Sequence, residues 1–310
     1  MRERAVSLTM AVKIPEGKHV AKKTKTPSKV KPFWEGTPLV GETELFSHLA
    51  EEKGSALFLG RYSLSEVVAV LGKKNFLREA RKRKLWPLAF NLDSSEHPLQ
   101  RFRIYLREAT PRNLIVDLKI REGLFRPAGG VLLGRPFPEQ KCLMLEWLTL
   151  QNPAQEFGVQ KAPLPGQLHP GLNIGKKVMD LFVYLARVTG KDALMAFPAY
   201  FHNSLLFSRY FAFVNPEKQA EVFAIRRTFR DVPWKQLAWI VHLNCLLRED
   251  GTPYEWKAEE QIFPLNRFLK DLFDSREYRD AVRKALPGFR FTIDWETFYR
   301  KSAELGPAID

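Results

Sequence analysis

Cysteine is scarce in this 310-residue chain: there are two, Cys142 and Cys245, far apart and in apolar surroundings. Without a C-x-x-C pair they exclude a disulfide framework and a cysteine zinc site. They read instead as buried thiols of a reducing compartment. The histidines at positions 19, 48, 97, 169, 202 and 242 fall at no metal-ligand spacing, so no metal is expected. There is no G-x-S-x-G elbow and no Walker loop, which leaves hydrolase and NTPase readings without support. Long apolar runs are missing as well. The longest uncharged stretch, 193–208, contains Pro198, His202 and Asn203 and is a poor membrane span. Charge at the N-terminus is not followed by an apolar segment, unlike a secretory signal, so the expected location is cytoplasmic.

Apolar residues make up 45% and charged residues 27%, enough for a substantial core. The formal charge of +14 is unevenly spread. Residues 1–31 carry nine Lys/Arg against Glu3 and Glu16, and residues 73–84 carry seven against Glu79. Together these segments hold +13 of the excess. Such concentration either attracts a polyanion, nucleic acid included, or forms a solvated tail and a solvated helix face. No aromatic alternates with the basic residues of the tail, so base stacking there has no support.

Residues 1–38 have little apolar periodicity and read as a flexible basic arm. Residues 39–98 read as a small helical element. A helix is expected from Gly41, then one capped by Ser63 or Ser65 through Val67, Val68 and Leu71 and ended by Gly72. The next carries Phe76, Leu77 and Ala80 opposite the basic run and stops at Trp86-Pro87. Two short helices joined at a glycine resemble a helix-turn-helix, as any small helical hairpin does. From Gln100 the period becomes two: RFRIYLRE, a turn at TPRN, then LIVDLKIRE, a hairpin. KCLMLEWLTL is a more apolar strand, expected at the centre of the sheet. After Asn215-Pro216 the apolar recurrence is helical nearly to the end, and most of the aromatic residues there fall at core spacing. The expected fold is α/β (α+β). A mixed sheet in a core spanning 99–215 is flanked by helices, with 216–310 as a helical C-terminal extension.

The segment 166–213 is the most informative. A Gly/Pro loop opens an amphipathic helix with Val178, Leu181, Phe182, Leu185 and Val188 on one face and Gly190 at its C-cap. A short apolar strand and a second helix follow. Helix N-terminal amides out of this loop, beside Lys176 and Lys177, suit a pyrophosphate. A plain strand–loop–helix connection needs the same glycines.

The order strand, glycine loop, long helix, strand, aromatic-rich helix over 142–214 resembles the GNAT superfamily of acyl-CoA-dependent N-acyltransferases. That resemblance implies a central strand splayed from its neighbour, with pantetheine bonding to its exposed backbone, here Trp147, Leu148 and Thr149. It implies a pyrophosphate on loop amides, here Leu172, Asn173, Ile174, Gly175 and Lys176. The cofactor would be acetyl-CoA or another acyl-CoA, and the partner an acceptor amine. Pro170 stands at the family's Arg/Gln position and Asn173 at its middle glycine. Asparagine tolerates the positive φ such a loop requires but adds a side chain near the phosphate.

Acyl transfer to an amine needs a base, donors for the thioester oxygen and an acid for the leaving thiolate. Glu146, the ionisable residue within LMLEWLTL, suits the base; a strand-edge glutamate facing solvent or pairing with an arginine is the alternative. By the family's asparagine-to-tyrosine spacing, Asn203 leads to Tyr210 as the acid, whereas aligning LFSR with the family's Leu-Tyr segment lands on Phe207. His202 either orients substrate or relays a proton, or else caps a helix and bonds to backbone. The leading reading is an acyl-CoA-dependent N-acyltransferase. Its rival is a non-catalytic nucleic-acid-binding protein using 1–31 and 73–84.

Overall fold

The alternation of 100–122 becomes two long antiparallel strands in the computed structural model, which describes residues 57–158 and 163–305. They are β2 (Gln100–Leu106) and β3 (Leu114–Phe125), joined through a turn at Pro111–Asn113. β1 (Leu88–Asp93) precedes them within the segment expected to be helical. A short hairpin, β4 (Val131–Leu132) and β5 (Arg135–Pro136), leads to β6 (Gln140–Leu150). β7 (Ala193–Ala196), β8 (Ala212–Phe213), β9 (Leu246–Arg248), β10 (Gln261–Pro264) and β11 (Phe291–Ile293) follow. Seven strands form one mixed sheet in the order β1-β2-β3-β6-β7-β10-β8, with β6 in the middle as expected. β6 and β7 are parallel, and its other pairings are antiparallel. β9 and β11 pair separately.

Helices α1 (Leu64–Lys73), α2 (Phe76–Lys82) and α3 (Gly175–Val188) share a core with one face of the sheet. α4 (Phe201–Phe207), α5 (Pro216–Thr228), α6 (Trp234–His242), α7 (Arg267–Phe273), α8 (Arg276–Ala285) and α9 (Trp295–Leu305) complete the described helices. Alternation in β6 and β7 decides which core each residue joins. Leu143, Leu145, Leu194 and Ala196 pack with α3, while Cys142, Met144, Ala193 and Met195 pack with α7 and α8. A third cluster joins α4, α5, α6 and α9 through Phe201, Ile225, Ile240 and Phe298. Both cysteines are buried and free, and burial pushes the Cys142 thiol up to about 12.

Several local expectations change. Ser63 caps α1 in a reciprocal box with Glu66, but the helix runs through Gly72 to Lys73. The left-handed turn before α2 is made by Asn75 at φ 61°, so asparagine does the work assigned to glycine. The buried stripe of α3 is Val178, Met179, Phe182 and Ala186; Leu181 and Leu185 sit at its edge and Val188 is exposed. Gly190 has φ 67°, as a glycine ending a helix requires. Segment 216–310 is more than a helical extension, because β10 inserts between β7 and β8. In that segment Trp234, Phe268 and Trp295 are exposed. The basic arm and the helix expected from Gly41 lie outside the described residues. Among the described residues, no helix is long and apolar enough to cross a membrane.

Candidate functional site

β6 and β7 pair for four residues, from Cys142 opposite Ala193 to Leu145 opposite Ala196. There β7 ends, while β6 runs on to Leu150 against β3 alone. At the parting, Lys119 faces Trp147 and Ile120 faces Leu145, so Glu146 is an extra residue. Such a bulge bends its strand and re-aims the side chain. The edge of β6 that β7 has left carries no backbone partner among the described residues until Gln151, which bridges Gly171.

That bridge ties the loop before α3 to the end of β6, and the Asn152 amide donates to the Pro170 carbonyl at 2.8 Å. Leu172 and Ile174 are buried and anchor the loop; Asn173 between them is exposed at φ 55°. The positive φ anticipated for this position is therefore adopted. Gly175 opens α3, and the preceding Ile174 offers no side-chain cap. A side chain at Gly175 would meet no atom within 4 Å. The first-turn amides of Gly175, Lys176 and Lys177 thus form an uncapped positive terminus flanked by two exposed lysines.

Helix α2 braces this terminus. Arg83 donates from Nε to the Leu172 carbonyl at 3.1 Å and from Nη1 to Glu79 at 2.5 Å. Lys177 reaches the other Glu79 oxygen at 2.7 Å. Hydrogen bonds from Lys177 and then Arg83 hold the Glu79 carboxyl down to about 2. Arg81 lies 4.0 Å over Trp86 and Lys74 lies 4.1 Å over Tyr184. Much of the basic run expected on a free helix face is therefore engaged within the fold.

On the sheet face away from α1, α2 and α3, charged side chains of β2, β3 and β6 line a groove of about 560 Å³. Arg101 grips Asp117 with two bonds of 2.7 Å, and Arg121 Nε donates to Glu146 Oε1 at 2.6 Å. Glu146 is thus partly exposed and paired with arginine, the alternative foreseen for it. Its Oε2 has no hydrogen-bond partner among the described residues. Trp147 stands exposed on the groove with Nε1 bonded to Thr149 Oγ1 at 2.9 Å, while Leu148 turns into the core.

No protein-family model matches the chain, and no curated protein does. A solved structure described as "The crystal structure of KacTA-DNA complex" aligns over 58% of this chain and 91% of that one. The two are 15% identical, with a TM-score of 0.27.

Beyond β7, α4 separates the remaining candidates. Asn203 lies in its first turn, but the helix ends at Phe207, so Tyr210 sits in the following turn against the α3-side core. The register that put Tyr210 on a helix misses by three residues. His202 does not cap α4; it is 4% exposed and makes no hydrogen bond among the described residues. Burial, and then the charge of His242, push its pKa down to about 4. Its ring stacks on Tyr200, with centroids 5.3 Å apart.

Around His202 lies a cavity of about 230 Å³ whose other walls are Tyr200, His242 and Trp256. Gly166, at φ 78°, closes against it: a Cβ there would stand 2.5 Å from the Tyr200 hydroxyl oxygen. Of these four, His202 stood out in the sequence, whereas Tyr200, His242 and Trp256 did not. The aromatic–histidine run PAYFHN was the local signal; its partners come from α6 and the loop before β10, which no spacing reveals. Among the described residues, no cluster of three His, Cys, Asp or Glu side chains is placed to hold a metal.

Proposed function

We propose that this chain is an acyl-CoA-dependent N-acyltransferase. One observation carries the reading: two parallel strands part beside an uncapped helix N-terminus, leaving strand edge and amides together. A coenzyme needs both features. Its pyrophosphate fits the amides of Gly175, Lys176 and Lys177, and its amide-bearing arm can add to the free edge of β6 at 147–149. The arm then leads through the gap toward Glu146, which opens on the opposite, charged face. There Glu146 Oε2 takes the proton of an acceptor ammonium while Arg121 holds Oε1. The nitrogen lone pair would form the C–N bond as the C–S bond breaks, the electron pair leaving on sulfur, which would take up the second proton shed by the nitrogen. Tyr210 lies away from the groove in the α3-side core, so the acid is not assigned to it.

The test is calorimetric titration with acetyl-CoA, longer acyl-CoAs and free CoA, repeated on Gly175→Asp. An added Cβ meets no atom within 4 Å at this position and an aspartate suits a helix first turn, so Tm should hold or rise slightly. Its charge should nonetheless weaken coenzyme binding by about tenfold or more, ~1.4 kcal/mol. No heat with any coenzyme would end the acyl-transfer reading. Unaltered affinity in Gly175→Asp would move the pyrophosphate elsewhere.

A further inference from the structure

Chemically, the cavity beside α4 stands apart from the rest of this basic chain. Its inner wall is apolar except for one imidazole: Phe201, Ala238 and Val241 are buried beside His202. Tyr200 and Trp256 make half-buried aromatic sides. At the rim, Glu255 is the single formally charged side chain among the described lining residues, in a chain whose net charge is +14. Lys218, 4.3 Å over the Trp256 ring, is neutralised by Glu221 at 2.6 Å. The local charge is therefore that of one carboxylate at the mouth of an aromatic pocket. His202, 4% exposed and without a hydrogen bond among the described residues, lines the cavity and offers its imidazole to a ligand or water there.

We propose that this cavity binds a small free ammonium compound, an aryl- or alkylamine in its protonated form. An ammonium offers three N–H donors; the lining meets them with acceptors on His202, His242, Asn244 and Tyr200 and with the carboxylate of Glu255, the one among them that carries a full charge. Its hydrocarbon body fits against Tyr200, Trp256 and Val241. A cavity of ~150 Å³ holds benzene, so 230 Å³ suits about one ring on a short tether. The wall formed by Ala199, Tyr200 and Phe201 begins within a few residues of Ala196, where β7 parts from β6.

The experiment uses the full chain with phenethylamine, its near-isostere 3-phenylpropionate, and Nα-acetyl-lysine methylamide, followed by calorimetry and by the His202 ring-proton shifts. Phenethylamine should bind and move the His202 signals, the carboxylate should not, and Glu255→Gln should weaken the amine about tenfold. Glu255 is exposed, so that variant keeps its fold; Lys119→Met, in the separate charged groove, should leave amine binding unchanged. Equal binding of amine and carboxylate, or indifference to Glu255→Gln, overturns the proposal. So does binding of the lysine analogue alone, which would make the occupant a protein side chain. Coenzyme binding without amine binding removes the cavity assignment and leaves acyl transfer standing. Amine binding without coenzyme binding keeps the ammonium site and removes the acyl-transfer reading.

Discussion

The extra residue in β6 puts Glu146 and Trp147 on one face: from core-facing Leu145, regular alternation would give Glu146 the groove opposite Lys119 but send Trp147 into the core. Arg121 fixes one oxygen and leaves the other open. Glu146→Gln keeps the size and an oxygen for Arg121 but removes the proton acceptor. Turnover, followed as free thiol released from acyl-CoA, should fall by roughly 10²–10⁴ with coenzyme affinity within twofold of the parent. Undiminished turnover would place the base elsewhere, with His202 the next candidate to examine. Glu146 was legible as a lone ionisable residue in an apolar strand. Its bulge was not, because a register slip depends on the partner strand and leaves no mark in the strand's own alternation. Asn173 is the reverse case: it stands at the middle-glycine position of the loop it resembles, and asparagine is a residue type that adopts the positive φ found there.

The loop before α3 is held by an element 89 residues earlier in the chain, through the bond from Arg83 to the Leu172 carbonyl. Glu79 is the pivot, since Arg83 and Lys177 both bind it. Its folded pKa, about 2, lies below the ordinary 4.5. The stability it contributes is therefore present in full above pH 4.5 and lost as the pH falls toward 2. Glu79→Gln should lower Tm at neutral pH and flatten its decline across that acid window. Thermal melts of parent and variant at intervals from neutral to strongly acid pH check both. A parallel decline in the two proteins would mean that other carboxylates govern the acid limb. α3 and the loop ahead of it were plain from apolar spacing and glycine placement. The brace was hidden because the run 73–84 looks like a solvated basic face until its neighbours are known. A charged side chain reads the same in sequence whether it meets water or a carboxylate.

At the scale of the whole molecule, chain order and spatial order part company. The hairpin and β6 were legible through period-two alternation, but β10 is four residues long, ends in Pro264 and sits inside a stretch of helical recurrence. Short strands buried on both faces give no alternation to read. Yet β10 lies between β7 and β8, with Ile262 fully buried opposite Met195 and Ala212. The strand that frames one side of the cleft thus takes its outer partner from near the end of the chain. Phe298 of α9 is likewise fully buried, among α4, α5 and α6 residues. A chain ending at residue 260 would expose the edge of β7 and open two cores at once. Loss of Ile262 and Phe298 alone removes about 5–10 kcal/mol, comparable to the whole stability of an ordinary domain. That truncation should show no cooperative thermal transition by circular dichroism, aggregate on size exclusion and bind no coenzyme. A cooperative melt with coenzyme binding retained would instead make 261–310 an appendage, and the cleft would then owe its shape to residues before β10 alone.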